Sequence, residues 1–171
     1  MKTLVQQFLE YIPDAYAFAK ERHDATGAIR RSSGKPYIVH PTDVANIAIA
    51  YGGTDEEVEA SLLHDTVEDT DTTIDELEKR YSYKVAKIVN ELTNDKDEID
   101  KLGKEMYMNK KLCSLSKSAL FCKLCDIYDN MADSPGDAQK ERMINNILYL
   151  LKHRKLDDRE AELVDSILMA A

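Results

Sequence analysis

Apolar residues in this chain return at i, i+3, i+4 and i+7 along most of its length, and that period settles the class of fold before any motif is read. Val85, Ile88, Val89 and Leu92 form one such stripe, Ile144, Ile147, Leu148 and Leu151 a second, and Val164, Ile167, Leu168 and Ala171 a third. Each set falls on one face of a helix, whereas in a strand it would be divided between two faces. The start signals agree. Thr54-x-x-Glu57 after Gly52-Gly53, and Thr73-x-x-Glu76 after a Thr/Asp-rich turn, both read as capping boxes. Pro41 stands where a helix through Val44, Ile47 and Ala48 has its first residue. The pattern predicts helices near 3–12, 14–25, 41–51, 55–67, 73–81, 83–92, 98–112, 116–133, 138–153 and 157–169. The expected fold is all-α, a compact bundle of about eight to ten helices. The one β-like run is Tyr37-Ile38-Val39, and Gly27 to Pro36, which holds Arg30-Arg31-Ser32-Ser33-Gly34, reads as a loop.

A length of 171 residues suits a single domain over 1–171 and leaves no room for a second catalytic domain with a regulatory region. No apolar run nears the roughly 20 residues of a membrane span, and the charged start leads into no signal core, so the expectation is a cytoplasmic protein with no membrane partner. A formal charge of −9 argues against nucleic acid as a partner. That charge is unevenly spread. Residues 54–78 carry eleven acids and no Lys or Arg, leaving the remainder with 21 acids against 23 bases. The three cysteines form no disulfide framework, and Cys122-x-x-Cys125 lacks the second pair that structural zinc needs; both read as small core residues.

The acidic block contains the densest chemistry, Leu62-Leu63-His64-Asp65-Thr66-Val67-Glu68-Asp69-Thr70. On a continuous helix Glu68 lies four residues past His64 and three past Asp65, so imidazole and carboxylates share a face. A solvated acidic helix produces such runs too, but three carboxylates this close repel one another unless a cation sits among them. Imidazole with carboxylate suits Mn²⁺, Fe²⁺ or Zn²⁺. Two further residues fit that picture. His40 stands at the mouth of a helix in Tyr37-Ile38-Val39-His40-Pro41, and Asp126 sits in the otherwise apolar Lys123-Leu124-Cys125-Asp126-Ile127, where a carboxylate needs a partner.

Taken together, these segments resemble the HD-domain superfamily of metal-dependent phosphohydrolases, with its H…HD…D signature. Within it the chain is most similar to the hydrolase domain of RelA/SpoT-type alarmone enzymes, and especially to the stand-alone small alarmone hydrolases. The resemblance runs over residues 15–135 through Gly34–Pro41, Leu62–Thr70, Leu92-Thr93-Asn94-Asp95-Lys96 and Lys123–Asn130. It implies an HD-type architecture in which His40, His64, Asp65 and Asp126 hold one Mn²⁺. Glu68 and Asp69 orient and deprotonate the attacking water. Asn130 touches the nucleotide, Arg30 and Arg31 match a basic pair that contacts base and phosphates, and Lys96 and Arg142 are further substrate contacts. The implied reaction removes the 3′-pyrophosphate from guanosine tetra- or pentaphosphate. Adenosine alarmones or NADPH are alternative substrates for the same machinery, and a non-catalytic binding module is the alternative of another class.

Departures cluster on the substrate side. The usual Gly-Gln is Gly27-Ala28 here, and Met131 is followed by Ala132 where the family often has arginine. The remaining features have plain readings: His23 as a supporting or packing histidine, His153 as a charge at a helix C-terminus, and Met106, Tyr107 and Met108 as core or pocket wall. Lys101, Lys104, Lys110 and Lys111 read as a solvated face.

Overall fold

The computed structural model describes residues 4–30 and 33–171, with side chains from Pro13 onward. Eleven helices follow one another among the described residues: α1 Leu4–Thr26, α2 Val39–Ala50, α3 Asp55–Leu63, α4 Thr66–Asp69, α5 Ile74–Arg80, α6 Tyr83–Leu92, α7 Lys96–Leu102, α8 Lys104–Ser114, α9 Lys117–Ala132, α10 Asp137–His153 and α11 Asp158–Ala170. There are no strands among the described residues, only an isolated bridge between Ile29 and Pro36 that closes the loop after α1.

The all-α expectation is borne out, while three boundaries differ from the periodic reading. The first two predicted helices are one: α1 runs through Pro13, and its later turns bury Ala15, Phe18 and Ala19 against α3. The segment predicted as 55–67 ends as a helix at Leu63, where Asp65 adopts φ −97°, ψ −5° before α4 restarts as a single turn. Thr66 Oγ1 donates to the Leu63 carbonyl at 2.7 Å, using an acceptor that the end of α3 leaves open. The predicted 98–112 helix divides at Gly103, whose φ of +78° suits a residue without Cβ. The β-like Tyr37-Ile38-Val39 becomes the turn into α2. That helix begins at Val39, so the N–H that Pro41 lacks falls in the first turn, where no intrahelical acceptor exists for it.

Local capping follows the sequence signals. Thr54 and Glu57 form the reciprocal box, with Glu57 N to Thr54 Oγ1 at 3.3 Å and Thr54 N to Glu57 Oε2 at 2.9 Å. At Thr73 the hydroxyl accepts from Glu76 N at 3.2 Å, one half of that arrangement.

The core is organised around α9, which packs on α2, α3, α6, α10 and α11. Leu120, Phe121, Cys122, Leu124 and Cys125 are all buried, as a helix apolar on nearly every side must be. Each large apolar side chain so buried contributes about 1.5–3 kcal/mol. Gly53 lets the turn after α2 close against this helix: a Cβ there would lie 2.8 Å from the Ala48 carbonyl oxygen and 3.0 Å from the Phe121 ring. The stripe of α6 is wholly buried, but on α10 the enclosed residues are Ile147 and Leu150, with Leu148 and Leu151 of the predicted stripe about half exposed. No described helix is long and apolar enough to cross a membrane.

Candidate metal centre and its cavities

Three parts of the fold converge on one buried point: α2 brings His40, the α3–α4 junction brings His64 and Asp65, and α9 brings Asp126. The break after Leu63 is what allows two consecutive residues to serve the same point, since a continuous helix turns successive side chains about 100° apart. Donor atoms of His40, His64 and Asp65 lie within 4.8 Å of one another. Asp65 Oδ2 is 3.0 Å from His64 Nε2 and 3.6 Å from His40 Nε2. Asp126 Oδ1 is 3.1 Å from His40 Nε2 and 3.8 Å from His64 Nε2.

Both imidazoles are held from behind. His64 Nδ1–H donates to the Ser61 carbonyl at 2.7 Å, which turns the other ring nitrogen inward. That nitrogen, Nε2, is buried and has no hydrogen-bond partner of proper geometry. His40 Nδ1–H donates to Asp129 Oδ2 at 2.6 Å, the carboxylate–histidine arrangement that orients metal-ligating rings. An orphaned imidazole nitrogen facing buried carboxylates fits a divalent cation of the Mn²⁺, Fe²⁺ or Zn²⁺ type.

The charges of the centre act on one another at close range. Burial works against a charged His40, but hydrogen bonds to Asp126 and Asp129 and the nearby carboxylate charges raise it to about 9. His64 is also raised, because Asp65 beside it overcomes its burial. Burial alone would raise both carboxyls, yet His64 next to Asp65 and Lys123 next to Asp126 hold them below the usual range. Cation binding at this centre requires the inward-facing imidazole nitrogens and the carboxylates in their unprotonated forms.

Asp129 was not among the residues read from the sequence. Its signal was there: it lies three residues past Asp126 on the same face of an apolar helix. It also meets Arg30, whose Nη2 donates to Asp129 Oδ2 at 2.6 Å while Nε lies 2.8 Å from Asp133 Oδ2. Arg30 is thus a buried cross-link between the loop and α9, although it also borders a cavity. Arg31 lies outside the described residues.

Two cavities lie near the cluster: one of about 300 Å³ bordered by Asp126 itself, and one of about 560 Å³ bordered by Tyr37 and Asn130, which hydrogen-bond to Asp65 and Asp126. Asp69, Tyr37 and Arg30 border the larger one. Glu68, Asp126, Lys104, Lys123 and Arg142 border the smaller, and Asn130 and Gln139 border both. Glu68 and Asp69 are therefore turned to different sides. Glu68 is gripped by Asn94, through its backbone N at 3.1 Å and its Nδ2 at 3.0 and 3.3 Å. Burial and the charges of Asp65 and Glu68 raise the Asp69 carboxyl. Asn130 Nδ2 donates to Asp126 Oδ1 at 2.6 Å, and Lys123 Nζ to Asp126 Oδ2 at 2.6 Å. Arg142 is brought to this group, whereas Lys96 is exposed on α7, borders neither cavity and acts on Asp69 through its charge.

Several minor expectations are also resolved. His23 is fully buried and packs on Tyr37 with ring centres 4.8 Å apart, and the Tyr37 hydroxyl donates to Asp65 Oδ2 at 2.6 Å. Tyr107 is buried and Met108 lines the smaller cavity, but Met106 faces outward. Lys111 departs from the solvated face: it is buried, its ammonium tied to backbone carbonyls. His153 lies at the end of α10 and donates to the Tyr149 carbonyl at 2.8 Å. Cys122 and Cys125 are core thiols.

A family profile described as the HD domain matches residues 15–112. A guanosine-3′,5′-bis(diphosphate) 3′-pyrophosphohydrolase of Aquifex aeolicus is 39% identical over 134 residues, covering 73% of this chain and 18% of that protein. The human protein of the same enzyme name, MESH1, is 38% identical over 122 residues, covering 70% of this chain and 67% of the other. The solved structure of a metazoan orthologue of SpoT superposes with a TM-score of 0.76 at 24% identity, over 95% of this chain and 94% of that one, which is a likeness of fold.

Proposed function

This chain belongs to the HD-domain family, and on that premise we propose that it is a Mn²⁺-dependent hydrolase of guanosine 3′,5′-bis(diphosphate) and its pentaphosphate. The products are GDP or GTP and pyrophosphate. The observation that carries the reading is the adjacency of a buried His/Asp cluster to a cavity bordered by Lys104, Lys123 and Arg142. A cation site beside a cationic pocket suits a polyphosphate, despite the net acidity of the chain. The relatives' names supply the nucleotide.

In this reading His40, His64, Asp65 and Asp126 hold the ion, and Asp129 and the Ser61 carbonyl keep the two rings facing it. Mn²⁺, when bound, acidifies water and polarises a phosphoryl oxygen. Glu68, fixed by Asn94, takes a proton from the attacking water, and Asp69 orients that water from the other side. The water oxygen joins the phosphorus attached to O3′, the P–O3′ bond breaks, and O3′ takes up a proton. Lys104, Lys123 and Arg142 offset charge on the phosphoryl oxygens. Asn130, between the cavities, contacts the nucleotide. Arg30 meets it at the edge of the larger cavity, Arg31 is a further nucleotide contact, and Lys96 acts from outside both cavities through its charge. Residues 1–171 act as one catalytic domain, in the cytoplasm, with a small nucleotide and no nucleic acid as partner.

The test is product analysis with purified, Mn²⁺-loaded protein. Guanosine tetraphosphate should yield pyrophosphate and GDP. Folded, metal-loaded protein that releases none overturns the assignment, while orthophosphate from NADPH with no turnover of the guanosine compound would move it to that substrate.

A further inference from the structure

We propose that Lys111 is a positioning residue that acts on Glu68 through the side-chain amide of Asn94, which rests on the role given to Glu68 above. Lys111 is only 9% exposed and projects from α8 toward the end of α6. Its ammonium donates to the Leu92 carbonyl at 2.8 Å, the Thr93 carbonyl at 2.7 Å, Asn94 Oδ1 at 3.2 Å and the Tyr107 hydroxyl at 3.3 Å. The first two contacts satisfy carbonyls at the C-terminus of α6, where a cation is favoured. The third does more than cap a helix.

An ammonium can only donate, and an ionised carboxylate can only accept. Asn94 lies between one of each. Its oxygen must therefore turn to Lys111 and its NH₂ to Glu68, as the distances of 3.2 Å and 3.0 Å show. The opposite amide orientation would set NH₂ against the ammonium and oxygen against the carboxylate. Lys111 thus selects the one orientation in which Asn94 grips Glu68 from both backbone and side chain. Tyr107 steadies the same loop by accepting from Asp95 N at 2.8 Å. Burial lowers the Lys111 ammonium to about 8, a cost that surface capping of the same carbonyls would avoid.

Lys111→Met, Asn94→Ala and Glu68→Gln, alone and combined, separate positioning from capping. Lys111→Met and Asn94→Ala should each lower kcat about 10- to 100-fold, with KM within about twofold of wild type. In a Glu68→Gln background Lys111→Met should cost less than about twofold further, since its target is already gone. Lys111→Gln, which keeps a polar group in place, answers the same question where the methionine variant does not fold. Unchanged kcat, or a loss that multiplies in full with that of Glu68→Gln, overturns the proposal. Solvent exchange of the Asn94 side-chain protons, followed by NMR, gives a readout independent of turnover. Those protons should be protected in wild type and lose protection in Lys111→Met. If the wild-type protein proves inactive on guanosine tetraphosphate, the hydrolase reading fails, yet unaltered exchange in the variant would still overturn the Lys111–Asn94 link.

Discussion

The two sides of the site are built differently. On the metal side, His40, His64, Asp126 and Asp129 are each less than a tenth exposed, and every ring and carboxylate is held by a second group. On the opposite side, around the smaller cavity, Lys104 is exposed and Arg142 is half-buried. Helix packing pre-sets the first side, because buried polar atoms must find partners within the fold. The second side keeps long, hydrated cations that a polyphosphate can gather as it binds. The contrast teaches that geometry for the ion is fixed in advance, while charge for the substrate is left adjustable.

The contrast is broken most severely by Asp65→Asn, which should abolish stoichiometric Mn²⁺ binding in calorimetry and lower turnover by roughly 10³-fold or more. Asp129→Asn should keep the fold but release His40, weakening metal affinity about 10- to 100-fold. Metal titrations of the folded variant check this, and wild-type affinity would show that His40 needs no support. Arg142→Ala should act on the other side alone, raising KM about tenfold with metal affinity unchanged; a change in metal affinity would mean that the two sides are not separate. The smallest effect concerns the core behind them. Burial pushes the Cys122 thiol up to about 12 and Cys125 well above its usual value. Iodoacetamide at pH 8 should therefore spare both in the native protein and label them after unfolding, as peptide mass spectrometry would show.

How much was legible varies with distance along the chain. The all-α class follows from stripes such as Val85, Ile88, Val89 and Leu92, each a local pattern. His64-Asp65 and Glu68-Asp69 stood out because they are neighbours in sequence, and His40 and Asp126 by their places at a helix mouth and in an apolar helix, while the resemblance supplied their roles as ligands. Asp129 was missed because its role depends on His40, 89 residues away. Arg30, expected to face substrate, is taken up largely by Asp129 and Asp133, 99 residues distant in the first case. Lys111 looked like one of four surface lysines until its ammonium was seen to meet the Leu92 and Thr93 carbonyls at the end of α6.

The amino-acid order by itself determined the helical class, the capping at Thr54, the acidic block and the residue types able to hold a cation. These rest on periodicity and on groups a few residues apart, which act within one element. Tertiary structure alone decided that the helix breaks at His64-Asp65, that Glu68 and Asp69 face different cavities, and which cations are spent inside the fold. Those outcomes depend on which buried donor meets which acceptor across helices, and an unpaired polar group there costs enough to overrule local pattern.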